Sequence, residues 1–265
     1  TLMGAAPLAW LPVLARWRLV FAGLAFAAVL LAVLCWVFAG KRRTEKAAEA
    51  DPDDEPVSNR DVIRSRDLWL LALFLFAKYG SQVAFQGLWG VPYIASVYDV
   101  SPTTAAGAVT MVAAGYVTAA PLVGKLADVM ARRGMNPIAA QRRLLIATTF
   151  LYVATWMPIV LAPGLLPLSA MYVLLFVMGI SVSSAGLVFG IAKDLFPAKV
   201  SGLAIGLVNI TSILGGAAMP PVVGWFIKRL TASGIQGGAV YSRAMVPCLL
   251  AACVGLILLS MVGRT

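Results

Sequence analysis

Lys78, Gln82, Gln86, Trp89 and Tyr93 follow one another at spacings of four, four, three and four. On an α-helix such steps keep side chains on one face. That face joins a cation, two amides and two aromatics, the usual lining of a site for a polar solute. Lys78 is the one charged residue well inside an apolar run. It comes eleven residues after Asp67, roughly 16 Å along a helix that rises about 1.5 Å per residue. A lone ammonium at that depth in lipid costs at least about 2.5–3.5 kcal/mol, so it must face water or a partner. Two functional roles meet that demand: binding an anionic part of a solute, or titrating in a coupled cycle. The structural alternative pairs Lys78 with a backbone carbonyl, or with a carboxylate outside this sequence.

Weaker polar groups lie in other apolar runs. Asn209, Thr211 and Ser212 form one cluster, of which Asn209 is added to the candidate cavity set; such groups often simply hydrogen-bond across helices. Ser181, Ser183 and Ser184, with Gly179, Gly186 and Gly190, form a small-residue stretch suited to tight packing and sliding of helices. Every Asp and Glu falls in a loop or at the end of an apolar run. Proton coupling would therefore need a carboxylate outside this sequence, or Lys78 itself. There is no histidine, which removes imidazole-ligated haem, His-bound zinc and histidine acid–base catalysis. Cys35, Cys248 and Cys253 sit in apolar runs at no metal-ligand spacing and read as small buried hydrophobes. No catalytic residue, metal or cofactor is expected.

The elements that must position these groups follow from composition. The 265 residues are 61% apolar and 12% charged, with mean hydropathy +0.90. Soluble domains carry about 45–50% apolar and about 25% charged residues. A core of this size cannot hide the excess, so lipid surrounds most of the chain. Soluble enzymes, disordered proteins and nucleic-acid-binding domains are excluded, and the lipid bilayer replaces nucleic acid as the expected partner. Crossing about 30 Å of hydrocarbon takes roughly 20 helical residues. Seven stretches qualify: 19–39, 68–97, 103–123, 144–162, 166–190, 201–226 and 245–262. Ser101-Pro102, Pro163-Gly164, Phe196-Pro197 and Gly237-Gly238 punctuate the connections. Strand-like alternation is absent, so the predicted fold is an all-α polytopic membrane bundle.

The net charge of +10 reads as topology. With the end of the first span inside, fifteen Lys and Arg fall inside and five outside, leaving Lys78 within a span. That is the asymmetry of the positive-inside rule. Loops 40–66 and 125–142 then face the cytoplasm, and 98–102 and 228–243 face outward.

Three segments are predicted. Residues 1–39 hold the last turns of an earlier helix (1–13) and one span. Residues 40–66 run from Lys41-Arg42-Arg43 through Asp51-Pro52-Asp53-Asp54-Glu55-Pro56 to Arg64-Ser65-Arg66, too polar to fold alone, and read as a cytoplasmic linker. Residues 67–265 form a six-helix bundle. Thr1 stands where an initiator methionine would be, with no charged segment before the first apolar run, so upstream helices are expected to be missing. Gly115-x5-Pro121-x2-Gly124 recurs as Gly215-x5-Pro221-x2-Gly224, three helices later and hence in the opposite direction. Inverted repeats of this kind occur in secondary transporters.

Gly124-Lys125-Leu126-Ala127-Asp128-Val129-Met130-Ala131-Arg132-Arg133 resembles the Gly-x-Leu-Ala-Asp-Arg-x-Gly-Arg-Arg signature of the major facilitator superfamily. Gly124, Leu126, Ala127, Asp128, Arg132 and Arg133 match, while Val129 and Ala131 depart. In physical terms Gly124 allows close helix contact, Asp128 can sit against a neighbouring helix N-terminus, and the arginines stay at the inner headgroups. The run from Phe196-Pro197-Ala198-Lys199 to Asn209 is similar to the entry into that superfamily's eleventh helix. Gly4-Ala5-Ala6-Pro7-Leu8, followed by Arg16-Trp17-Arg18, resembles the close of its fifth.

The resemblance implies a bundle running from the end of helix five to helix twelve, with residues 40–66 as the central loop. The span holding Lys78 becomes the seventh helix, which lines the central cavity. Gly124, Asp128, Arg132 and Arg133 become a conformational gate. The expected function is secondary active transport, as symporter or antiporter, of a small polar or anionic solute by alternating access. A missing N-terminal six-helix half would be the partner, and a bacterial inner (plasma) membrane the location. The alternatives are a non-transporting scaffold or sensor of the same fold, or an integral membrane enzyme. The enzyme is disfavoured because the sequence has no histidine, embedded carboxylate pair, or nucleotide or metal motif.

Overall fold

The computed structural model describes residues 17–39 and 58–263. The expected helix end at 1–13 and most of the linker, 40–57, lie outside the described residues. Two units are present, divided near residue 57. In the first, α1 spans Trp17–Ala39, and its apolar run Phe21–Val37 exposes Phe21, Phe26 and Trp36.

The second unit opens with a short helix, α2 (Asn59–Arg64), inside the stretch expected to be linker. Ser58 and Asp61 form a reciprocal capping box, with the Ser58 amide donating to Asp61 Oδ2 at 2.9 Å. Val62 is fully buried beside Leu68 and Val200, and the Trp69 indole donates to the Ile63 carbonyl at 2.7 Å. Residues 58–65 therefore belong to the bundle. Their alternation of polar caps with one apolar anchor hides this in a composition average.

Six helices follow that are long and apolar enough to cross a membrane: α3 (Arg66–Tyr98), α4 (Pro102–Arg132), α5 (Pro137–Leu161), α6 (Leu168–Asp194), α7 (Ala198–Ala232) and α8 (Gly238–Met261). No strand occurs among the described residues. The chain is an all-α, multi-pass integral membrane protein. Ser101-Pro102 and Asn136-Pro137 start α4 and α5, their side-chain oxygens accepting from Thr104 N and Ile138 N at 3.2 and 2.9 Å. The helices overrun the apolar stretches. Residues 125–132, expected in a loop, are the last two turns of α4, because Lys125-Leu126-Ala127-Asp128 holds good helix formers and no breaker. Gly134, at φ +93°, closes α4 with a Schellman pair of bonds, Gly134 N to Ala131 O and Met135 N to Met130 O. Gly234 (φ +84°) closes α7 identically, so the repeat extends to a fourth position.

Two helix crossings set the architecture, and in both the backbones touch. A Cβ on Gly80 of α3 would lie 2.7 Å from the Gly215 carbonyl oxygen of α7. A Cβ on Gly115 of α4 would collide with the Phe176 carbonyl of α6, and one on Gly179 of α6 with the Val112 carbonyl. Exchanging each helix for the one three places away, α3 for α6 and α7 for α4, turns the α3–α7 crossing into the α6–α4 crossing. The glycines of the repeat thus occupy corresponding joints of two inverted three-helix units.

The core falls into two apolar clusters. One gathers Phe85, Tyr93, Trp156, Leu175 and Cys248, the other Leu71, Phe74, Leu145, Ile191 and Val208. Where α3, α5 and α6 pass from one cluster to the other sit the buried polar residues Lys78, Ser81, Thr149 and Ser184, with Ser181 one turn before Ser184.

Candidate functional site

Lys78 projects from α3 into this polar layer and is 1% exposed. Its Nζ donates to the Ser181 carbonyl at 3.1 Å, to Ser184 Oγ at 3.2 Å and to Thr149 Oγ1 at 3.4 Å. An ammonium has three donors, and all three are used. The Phe74 and Tyr152 rings lie 5.6 and 5.7 Å from Nζ, within cation–π range. No carboxylate is among these partners, as the sequence implies. One acceptor is a backbone carbonyl, supplied by α6 of this same chain, and the other two are hydroxyls.

That carbonyl has a particular origin. α6 is interrupted: one half-helix runs Leu168–Val182, the next Ala185–Asp194, with Ser183 and Ser184 between them. Ser181 lies in the last turn of the first half-helix, where the dipole favours a cation. The hydroxyls complete the layer. Thr148 Oγ1 lies 2.6 Å from Ser184 Oγ, and Ser81 Oγ 2.9 Å from Tyr152 Oη.

α3 is interrupted as well. After Gln82 it passes into a π-helical segment, Val83–Trp89, before resuming as α-helix at Gly90. A Cβ on Gly90 would sit 2.6 Å from the Phe85 carbonyl oxygen, so glycine is needed where the wide turn closes. The π segment changes the register, and the five-residue stripe does not hold as one face. Gln82 Nε2 donates to Gln86 Oε1 at 3.0 Å, and both side chains are half-buried. Trp89 instead turns to α7, its indole donating to the Pro220 carbonyl at 3.0 Å. Tyr93, fully buried, donates to the Ile159 carbonyl of α5 at 3.1 Å.

The remaining candidates lie elsewhere. Asn209 is exposed on α7, and its carbonyl accepts from Ser212 Oγ at 2.7 Å. Asp128, Arg132 and Arg133 are exposed at the end of α4, and no hydrogen bond among the described residues seats Asp128 on a helix N-terminus. A Cβ on Gly124 would meet nothing within 4 Å, so the close contact expected there is absent. The close glycine contact between α4 and α6 is made at Gly115 instead, and beyond Gly124 the buried residue of α4 is Ala127.

The sequence reading missed the α5 contribution, Thr148, Thr149 and Tyr152, although three polar groups on one face of an apolar span were visible. It also missed a second repeat. Gly80-x2-Val83-x3-Gly87-Leu88 recurs as Gly179-x2-Val182-x3-Gly186-Leu187. Both copies begin at a crossing glycine and run into a helix interruption. No protein-family model matches the sequence, and no curated protein matches it either.

Proposed function

We infer that this protein is a secondary active transporter of the major facilitator kind, which moves a small polar solute by alternating access. One observation carries the reading: α3 and α6, equivalent helices of two inverted units, are both interrupted just after the glycine at which each crosses its partner. Paired interruptions at corresponding places in inverted repeats are where transporters bind solute, because broken helices free backbone groups near the bilayer middle. Gln82 and Gln86, half-buried at the start of the α3 interruption, are the side chains assigned to the solute. Each amide offers donors and an acceptor without a fixed charge. An anionic solute would have to compete with three acceptors for Lys78. No enzymatic activity belongs to this reading.

The test is uptake by the full-length protein in proteoliposomes. Radiolabelled sugars, amino acids and carboxylates would be offered with and without a proton gradient. Transport of at least one class is expected, weakened severalfold by Gln82→Ala and by Gln86→Ala. Inserted, folded protein that moves none of them would leave the scaffold or sensor reading standing instead.

A further inference from the structure

Lys78 bonds to both sides of a broken helix. Its Nζ reaches the Ser181 carbonyl in the final turn of Leu168–Val182 and the hydroxyl of Ser184, the residue that precedes Ala185–Asp194. Thr149 supplies the third acceptor from α5, and Thr148 of the same helix reaches Ser184. The ammonium has no donor left and almost no exposed surface. It is therefore poorly placed to hold a solute and well placed to hold the break.

We propose that Lys78 is a positioning residue, a clamp that fixes the two halves of α6 relative to each other and to α3, so that the interruption can rearrange only when these bonds part. The proposal rests on reading the α6 interruption as a moving joint in transport, and it removes Lys78 from the solute-binding set. The chemistry suits the task. A charge-assisted bond to a helix-terminal carbonyl is strong while made, yet the long lysine stem lets the ammonium exchange acceptors without moving a helix. Because Ser184 accepts from Lys78 and lies against Thr148, loss of the clamp should be felt first at residues 182–187.

Hydrogen–deuterium exchange on the full-length protein in nanodiscs tests this without needing a solute, so its failure is separable from failure of the transport reading. Lys78→Met should speed exchange at residues 182–187 about tenfold, with α4 and α8 unchanged. Lys78→Arg should restore most of the protection, since a guanidinium can still donate to the Ser181 carbonyl. Ser184→Ala alone should give a smaller rise, and adding it to Lys78→Met should give little more, the non-additivity of a shared network. Should Lys78→Met fail to insert, Ser184→Ala carries the test by itself, with a rise of about threefold confined to the break. Unchanged exchange at residues 182–187, or a uniform rise over every helix, would overturn the clamp.

Discussion

Gly80 and Gly215 stack backbone on backbone: a Cβ on Gly80 would stand 2.7 Å from the Gly215 carbonyl oxygen, and one on Gly215 would collide with the Phe76 carbonyl. In lipid, where apolar burial does not drive helices together, such contact is what brings them close. Gly115 and Gly179 make the same kind of joint between α4 and α6. Each joint lies just before an interruption, in α3 and in α6, so a tight pivot and a loosened helix are neighbours in both units.

Alanine at the pivots should therefore be costly. At Gly115, Gly179 and Gly215 the obstacle is a carbonyl of another helix, which cannot swing aside like the end of a flexible side chain. Each substitution to alanine is expected to destabilise by about 1–3 kcal/mol. Gly202→Ala and Gly206→Ala, inside α7 where a Cβ meets nothing within 4 Å, should instead stabilise by up to about 1 kcal/mol. Thermal unfolding of the purified variants in one detergent gives the comparison. Equal melting points for the two groups would show that the crossings yield more readily than their geometry implies.

The membrane-spanning bundle was readable because length and hydropathy alone decide it, and the first position of the repeat, Gly115 and Gly215, sits at the two helix crossings. The stripe from Lys78 to Tyr93 misled because it assumed one helical period throughout. Val83–Trp89 winds wider, and no residue type announces that except Gly90, which the π turn needs. Lys78 was identified as an isolated charge, but its partners were not legible. Two of them are serines beside a break in α6, more than a hundred residues away, and one is a main-chain carbonyl. In the Asp128 motif Asp128, Arg132 and Arg133 are exposed and Ala127 is the buried residue, so the close contact expected at Gly124 is not made among the described residues.

Within that motif region, the glycines separate by backbone conformation. Gly134 sits at φ +93°, a region that costs other residues about 1–2 kcal/mol. Gly134→Ala should lower stability by that amount and loosen the last turn of α4. Gly124→Ala should not, since that residue is helical with open space around it. Stability and local exchange of the two variants decide the matter. A larger loss at Gly124 would mean that a neighbour absent from this bundle packs there.

Trp89 offers a test of the outer tie between α3 and α7. Its indole donates to Pro220 O, and its ring stands 3.1 Å from where a Cβ on Gly224 would lie. Trp89→Phe keeps most of the packing and removes the hydrogen bond, so a loss of about 1 kcal/mol is expected. Gly224→Ala should push the ring away and add to the loss in wild type but less in Trp89→Phe, a coupling read from a double-mutant cycle. Strict additivity would show that the two do not share a contact.

The equivalent helix ends provide the sharpest test of orientation. α4 closes at Arg133-Gly134 and α7 at Ser233-Gly234 with the same hydrogen-bond pattern, yet the end of α7 comes three crossings after the end of α4, so the two caps must face opposite sides. Lys125, Arg132, Arg133, Arg142 and Arg143 cluster around the first cap, while Lys228 and Arg229 are the nearest cations to the second. The positive-inside rule therefore puts Arg133 in the cytoplasm and Ser233 outside. Cys35, Cys248 and Cys253 must first be replaced by alanine or serine, since Cys35 is exposed on α1. In that background, a membrane-impermeant maleimide added to intact cells should label Ser233→Cys fully and Arg133→Cys only after the cells are broken open. Labelling of both from outside would contradict the odd number of crossings. The reverse pattern would keep the fold and invert the orientation, which would mean that charges outside residues 58–263 set the topology.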